Sequence, residues 1–453
     1  MKLDNYIAKS FSNYNVSRSK IVFPKNNKEI LRVIDLANQK GFKILSIGSS
    51  LSWHDTIFNS NNCIINLSKF KKVFIFDKKK GIITVSSNYK ISEILDLINK
   101  KGWTLSSIPG NSQVTIGGCV GNDVHGKDSF RYGNFESSVI ELEIILSNKK
   151  ILKCSNSKNI KLFRSVMGGL GLIGIVTKVK IQLKRTHSVY ETRSFICKNY
   201  KEFIKKLYLK KNNYEYIVGW IDFFSKNKSL GRGIIFKSKK FLEIKDIYRK
   251  KLNFFEFLVA QINKIIFIIF YKLRLINVLN LIFFKSFFYK QPIKLSNYRE
   301  IAYPLDFHGI NIKEVVLPDR FLEIQFIIKK KQLPNDLAKF ISFCQKLKME
   351  SILTGIKIHK KNKNLLSFSD DGISVNILQT YNSSNKDKVL KNFEKLHHYI
   401  ICKKYKVYIC KDFFFKKKTF KKNYSQSSEF YKIKKKYDYK NLFSSDFFQR
   451  TRV

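Results

Sequence analysis

The stretch PGNSQVTIGGCVGNDVHGK, Pro109–Lys127, decides how this chain reads. It carries Gly110, Gly117, Gly118, Gly121 and Gly126, with Gly133 close behind, in a chain with only 20 glycines among 453 residues. Glycine removes the side chain where backbone must approach a flat ligand or another backbone. Two further glycine-rich segments flank this one. Upstream, Ile47-Gly48-Ser49-Ser50-Leu51-Ser52-Trp53-His54-Asp55 follows a strand-like run, and its small residues let backbone N–H groups cradle a pyrophosphate. That upstream segment lacks G-x-G-x-x-G and is no Rossmann fingerprint. Downstream, Gly168-Gly169-Leu170-Gly171-Leu172-Ile173-Gly174-Ile175-Val176-Thr177 runs into a strand.

Around these segments the first third alternates helices and strands. Asn27–Gln39 places Ile30, Leu31, Val33, Ile34 and Leu36 on one helical face, and Gly41 stops it. Ile91–Lys100 is a second helix, ended by Gly102. Strands are predicted at Lys43–Ile47, Cys63–Leu67, Lys72–Phe76, Gly81–Ser86, Val139–Leu146 and Gly174–Leu183. Further on, Tyr214–Phe224, Gly231–Phe236, Arg320–Lys329, Ser351–His359, Gly372–Thr380 and Val407–Cys410 read as strands, and Lys388–Lys404 as a helix. This is an α+β pattern. The closing segment, Lys411–Val453, is basic and aromatic and reads as a solvated closing segment rather than a polyanion-binding arm.

Lys250–Lys290 is dominated by Ile, Leu, Phe and Lys. Glu256, Lys264, Lys272, Arg274 and Lys285 interrupt it, so it lacks the ~20 mainly apolar residues that cross a bilayer. Two readings stay open: buried or cap helices, or a basic, aromatic segment lying on a membrane surface.

Composition excludes wholesale disorder, a collagen and a coiled-coil rod, since 44% of residues are apolar and 26% charged. The net charge of +52 invites a polyanionic partner. Yet Lys, Asn, Ile, Phe and Tyr, which share A/T-rich codons, are abundant together, and the lysines are spread along the chain. The charge therefore reads as compositional drift, with no specific nucleic-acid partner. Seven cysteines, an odd number with no C-x-x-C pair, argue against a disulfide framework and a zinc site and for a reducing compartment. Met1–Tyr14 has no apolar stretch of signal-peptide type. The expected place is cytoplasmic, peripheral on the inner membrane face if the surface reading of 250–290 holds.

In their order, the three glycine segments resemble the flavin domain of the vanillyl-alcohol-oxidase superfamily, the PCMH-type FAD-binding fold. Other stretches are similar to the decaprenylphosphoryl-ribose oxidases within it. Asn122-Asp123-Val124-His125-Gly126-Lys127 resembles their D-I-H-G-K, and Trp220-Ile221-Asp222 with Leu230-Gly231-Arg232 their W-F-D…L-G-R. Tyr303-Pro304-Leu305-Asp306 resembles H-P-L-D, and Phe321-Leu322-Glu323-Ile324-Gln325-Phe326 resembles F-L-Q-Y-Q-F. Gly355-Ile356-Lys357 is similar to V-F-K, Tyr408 to Asp412 to Y-T-A-K-D, and Phe443 to Asp446 to F-A-S-D.

The resemblance implies an FAD-binding domain over 1–185, a substrate or cap domain with an antiparallel sheet over 186–410, and a segment over 411–453 returning to the first. It implies an FAD-dependent oxidoreductase that oxidises the C2′ hydroxyl of a polyprenyl-phosphate-linked pentose. That would be the oxidase half of an epimerase in cell-envelope polysaccharide synthesis, with a short-chain-type reductase as partner. Gly48, Ser49, Ser50, Leu51, Ser52, Trp53, Gly110, Thr115, Ile116, Gly117, Gly118, Asn122, Asp123, Val124, His125, Val176 and Tyr408 would line FAD. Gln325, Lys357, Tyr303 and Trp220 would meet the substrate, and His125 and Lys411 would be catalytic.

Elementary chemistry gives these residues work beside the resemblance. Alcohol oxidation needs a proton acceptor, for which His125 is the ordinary candidate near neutral pH. A lysine near a flavin stabilises the negative charge that reduction brings, and another can hold a phosphate. Departures narrow the reading. Leu51 stands where covalent members of the superfamily carry the attached His, so FAD is expected to be non-covalent, with His54 the alternative anchor. Ser374-Val375-Asn376 replaces I-C-V-D, losing its cysteine, and Ala302-Tyr303 replaces Y-H. An aldonolactone or alditol oxidase of the same superfamily is the second enzyme reading, and a polyanion-binding protein is the reading outside enzymes.

Overall fold

Helix α1 (Asn27–Lys40) starts and stops where its sequence says. In the computed structural model, which describes residues 3–187, 189–241, 262, 265–289, 293–303, 320–349, 351 and 354–452, the Asn26 side chain accepts the Glu29 N–H at 3.0 Å. Gly41 then turns the chain at φ 73. The buried face of α1, Ile30, Val33, Ile34 and Ala37, covers a four-stranded sheet. Its strands are β1 (Asp4–Lys9), β2 (Val16–Val22), β3 (Ile44–Ile47) and β4 (Cys63–Asn66), in the order β1-β2-β4-β3. β4 runs parallel to both β2 and β3.

A second, five-stranded antiparallel sheet follows. It contains β5 (Phe74–Asp77), β6 (Ile82–Ser86), β8 (Val139–Ile145), β9 (Ile151–Cys154) and β10 (Ile175–Gln182), in the order β5-β6-β10-β8-β9. The short β7 (Trp103–Thr104) pairs with β11 (Lys184–Arg185). Helix α2 (Ile91–Ile98) and helix α3 (Ile116–Asn122) join the same core, with Ile91, Ile94, Leu95, Ile116, Cys119 and Val120 all buried.

The third sheet has eight strands, all neighbours antiparallel: β12 (Tyr190–Cys197), β13 (Tyr216–Ile221), β14 (Gly233–Lys240), β15 (Ile293–Ser296), β16 (Arg320–Lys329), β17 (Gly355–His359), β18 (Gly372–Tyr381) and β19 (Lys406–Val407). The order is β15-β12-β14-β13-β17-β18-β16-β19. The fold is α+β, as the sequence reads.

Some elements depart from the sequence reading. β1 and β2 carry no apolar alternation, because Ser17 and Ser19 sit on the inner face of β2. Their hydroxyls are satisfied there by Ser60 Oγ at 2.9 Å and Asn59 O at 2.9 Å. The glycine-rich Ile116–Asn122 is a helix, opened by Thr115 Oγ1, which accepts the Gly118 N–H at 3.2 Å. Val407–Cys410 is a strand only as far as Val407. Ile409–Lys411 then makes one tight helical turn. Of the 250–290 stretch, 250–261, 263, 264 and 290 lie outside the described residues, as do Pro304, Leu305 and Asp306. Residues 265–272 and Ile276–Ser286 are helical.

The closing segment is not solvated. It forms helices at Lys417–Asn423, Ser427–Tyr437 and Asp446–Thr451, and buries Phe420, Tyr424, Phe443, Phe447 and Phe448. Each such aromatic contributes roughly 1.5–3 kcal/mol of burial. Phe443 bridges Ile44 in parallel, inside the cluster under α1. Arg450 holds the Asp55 carboxylate with Nε at 2.7 Å and Nη2 at 3.1 Å. Lys434 is buried, and its ammonium is satisfied by Leu172 O, Asp438 Oδ2 and Phe443 O at 2.8, 2.6 and 2.7 Å.

Candidate active site and flavin cavity

The loop after β3 bends at Ser50, whose φ of 55 lies in the left-handed region. That turn lets successive backbone N–H groups converge on an anion. Gly48 sits against Thr115 so closely that a Cβ there would lie 2.1 Å from Thr115 Oγ1. This loop and the start of α3 therefore form one wall. Gly117 serves a protein contact, since its added Cβ would meet Ser87 Cβ and O at 3.2 Å. Of the two reasons for a glycine there, approach to another part of the protein is the one observed.

From this wall a cavity of about 2090 Å³ runs to the eight-stranded sheet. Gly48 to Trp53, Gly110, Thr115, Gly117, Gly118, Asn122, Val124, His125, Val176 and Tyr408 all line it, as do Gln325, Lys357, Lys411 and Trp220. Three expected residues do not. Ile116 is fully buried and packs into the core as an apolar residue at the first turn of α3. Asp123 faces away, held by Asn134, Asn362 and Asn364 Nδ2 at 3.2, 2.7 and 3.0 Å. Tyr303 packs in the core at 3% exposure. His54 is also outside the cavity, with Nε2 3.3 Å from Glu323 O.

One end of the cavity concentrates the chemistry. β16 alternates so that Glu323 and Gln325 share a face, and β18 sets Asn376 opposite Gln325. His125 Nε2 lies 3.3 Å from Gln325 Oε1, while Gln325 Nε2 donates to Ser374 Oγ at 3.3 Å. With that amide oriented so, Nε2 of His125 carries the proton and Nδ1 is the bare acceptor. Nδ1 has no hydrogen-bond partner among the described residues. Burial first, then the positive charge of Lys357, holds the His125 pKa well below the ordinary imidazole value. His125 is thus held in the neutral form, the form able to accept a proton.

Lys411 and Lys357 supply cations. Lys411 Nζ is 2.9 Å from Glu323 Oε1 and 5.0 Å from the centre of the Trp53 ring. Asn376 Nδ2 also donates to Glu323 Oε1, at 3.0 Å. Burial raises the Glu323 pKa, and Lys411 partly counters that. Burial, with Lys411 next, pushes the Lys357 ammonium down to about 8. Tyr408 ties this end to α3: its N–H donates to Gln325 O at 2.7 Å and its hydroxyl to Asn122 O at 3.1 Å. Cys410 Sγ donates to Asn122 Oδ1 at 2.7 Å.

Glu323 and Asn376 belong to this end of the cavity and were not among the expected site residues. A charged residue at the centre of an apolar strand, in RFLEIQFIIK, was the available signal for Glu323. His359 stands behind His125, ring centres 4.7 Å apart, with Nε2 2.9 Å from Ser374 Oγ. Among the described residues no cluster of His, Cys, Asp and Glu is arranged to hold a metal.

The residues fit a dinucleotide. Thr56 Oγ1, Ser87 Oγ, Asn88 Oδ1, His125 Nδ1 and Glu323 Oε2 line the cavity, are buried, and have no partner among the described residues. Buried polar atoms are ordinarily paired, so a polar ligand accounts for them. The volume exceeds the roughly 300–1,000 Å³ of a drug-sized site.

Comparison with known proteins agrees. Residues 19–155 match the FAD binding domain family. The chain is 24% identical over 220 residues to decaprenylphosphoryl-β-D-ribose oxidase of Mycolicibacterium smegmatis, covering 46% of each protein. It is 28% identical over 193 residues to L-gulonolactone oxidase of Mus musculus, covering 42% of this chain and 43% of the other. It is 27% identical over 168 residues to mitochondrial L-galactono-1,4-lactone dehydrogenase of Arabidopsis thaliana, covering 37% and 27%. The chain therefore spans less than half the length of these relatives. Cavity, loop and sequence match lead to one conclusion: this is a flavoprotein that carries an FAD binding domain over residues 19–155.

Proposed function

We propose that this protein is an FAD-dependent oxidoreductase that oxidises a sugar CH–OH group, the C2′ carbinol of a polyprenyl-phosphate-linked pentose, to a ketone. It would work as the oxidase half of an epimerase beside a short-chain-type reductase. The observation that carries the reading is the meeting of His125, Gln325, Glu323, Lys357 and Lys411 at one end of the flavin cavity. Bound FAD supplies the two-electron acceptor. His125 Nδ1 accepts the hydroxyl proton as the carbinol carbon is oxidised, and Gln325 fixes the tautomer that makes this possible. Glu323 Oε2, unpartnered among the described residues, accepts from a second sugar hydroxyl. Lys357 is placed for an anionic group such as the substrate phosphate, and Lys411 for negative charge that develops during oxidation.

The apolar wall of Trp220, Phe236, Phe283 and Phe287 favours a substrate with a hydrocarbon tail. Six of the seven cysteines are buried and all are free, which supports a reducing, cytoplasmic setting. The named lactone oxidases among the relatives keep a second reading in play, a soluble aldonolactone or alditol as substrate. Anaerobic titration separates the two. Bleaching of the flavin by a polyprenyl-phosphate pentose and not by aldonolactones supports the first reading; the opposite pattern overturns it.

A further inference from the structure

Between residues 262 and 295 the described residues carry their densest exposed apolar surface. Of the twenty large apolar side chains exposed among the described residues, twelve lie there. From residue 257 to 299 there is no Asp or Glu, while seven residues are Lys or Arg. The helical stretches 265–272 and Ile276–Ser286 are apolar on two sides. Inward, Tyr271 and Ile276 pack with Phe321 and Leu378, and Phe284 packs with Trp220 and Ile234. Outward, Ile269, Leu273 and Ile282 are 49%, 61% and 49% exposed. A helix apolar all round belongs in a core or in lipid.

Neither described helix is long enough to span a bilayer. Ile276–Ser286 has 11 residues, about 16 Å of helix, against a hydrocarbon thickness of roughly 30 Å. No helix among the described residues is long and apolar enough to cross a membrane. An apolar face ringed by Lys272, Arg274 and Lys285, all exposed, suits the plane of an interface. The cations also choose between occupants. A second copy would set this acid-free, basic face against itself, whereas anionic headgroups complement it. The face is continuous with the site, because Phe283 is 37% exposed and also lines the flavin cavity.

We propose that the outward face of the helical stretches 265–272 and Ile276–Ser286 docks this protein in the interfacial plane of an anionic bilayer, with the cavity mouth at Phe283 turned to the lipid. The docking rests on these surface observations. Its purpose, to admit a lipid-linked sugar whose tail stays in the membrane, rests on the function proposed above.

Flotation of the full-length, flavin-loaded protein with vesicles tests it. Mixed phosphatidylglycerol and phosphatidylcholine vesicles are expected to carry the wild type, and added salt to weaken that binding. A Leu273→Asp/Ile282→Asp variant touches neither the cavity lining nor the core. It is expected to keep full flavin content and to bind the vesicles weaker by at least roughly tenfold. Failure of the wild type to float overturns the proposal. So does a double variant that floats as well as wild type, which would reduce the binding to general positive charge. A wild-type dimer dissolved by the same variant would assign the face to a second copy and also overturn it. Vesicle binding without flavin bleaching by any lipid-linked sugar would leave the docking standing and sink the substrate reading alone.

Discussion

Replacing Lys411 by Met should cost more than a rate. Its ammonium lies 2.9 Å from Glu323 Oε1, with the lysine side chain 20% exposed and the glutamate 3%. Removing one partner of a buried pair costs about 3–5 kcal/mol, because the other charge is left uncompensated. The partial exposure of Lys411 places this pair at the lower end, about 3 kcal/mol. The loss must depend on pH. Glu323 already has a raised pKa, and Lys411 is the largest influence lowering it. In Lys411→Met that influence is gone, so the folded protein holds the Glu323 proton more tightly still, while the unfolded carboxyl titrates near 4.3. An acid whose folded pKa is raised loses stability as pH climbs above its unfolded value. Lys411→Met should therefore approach wild-type stability near pH 4.5 and fall progressively behind it toward pH 8. Adding Glu323→Gln should remove that slope and recover most of the loss, leaving a double-mutant coupling of about 2–3 kcal/mol. Urea denaturation of the four proteins across that range measures it. Parallel stability curves, or a double variant no better than Lys411→Met, would refute the buried-pair argument. Stopped-flow reduction of the same variants reads the chemistry separately, where loss of a fixed cation should slow reduction on the order of 10²–10³.

Four other outcomes are expected. Acid precipitation should release yellow FAD into the supernatant, since Leu51 has no nucleophile and His54 lies outside the cavity; a coloured pellet would contradict non-covalent binding. Gly48→Ala should yield folded protein largely without flavin, because the new methyl would lie 2.1 Å from Thr115 Oγ1, and a normal flavin-to-protein absorbance ratio would remove this loop from the cofactor wall. His125→Asn should slow substrate reduction of the flavin by roughly 10²–10⁴ while the protein stays yellow. In the wild type, the lowered His125 pKa means no loss of that rate from imidazole protonation between pH 6 and 8; an inflection near the ordinary imidazole value would place His125 in a wetter, more polar setting than its burial allows.

How legible this was in advance depended on what carried the signal. α1 and α2 were readable because their apolar residues recur at helical spacing and glycines end them. β16 matched its predicted bounds because Phe321, Leu322, Ile324, Phe326, Ile327 and Ile328 fall on both faces of one short run, as in a strand covered on both sides. β1 and β2 were not readable, since hydroxyls paired by Asn59 and Ser60 replace apolar residues on the inner face. The site showed the same division. His125 and Lys411 were found by motif resemblance, whereas Glu323 came from contact. Its partners Asn376 and Lys411 lie 53 and 88 residues away, and no local pattern announces a pairing of that span. The aromatic tail reads as solvated because charge dominates its composition, while its burial is decided by which face of each short helix meets the core.

The tail also fixes the order in which the α1 layer is completed. Asp446 holds Ser60, and Arg450 holds Asp55, across 386 and 395 residues of chain. Phe443 completes the cluster beneath α1. The α1 layer thus stays open until a segment 386 residues further along the chain closes it. Contacts so distant in sequence form slowly, and an open sheet edge is exposed to misassociation meanwhile. The segment around Asp55 therefore gains its last support only when the helix Asp446–Thr451 has packed against it.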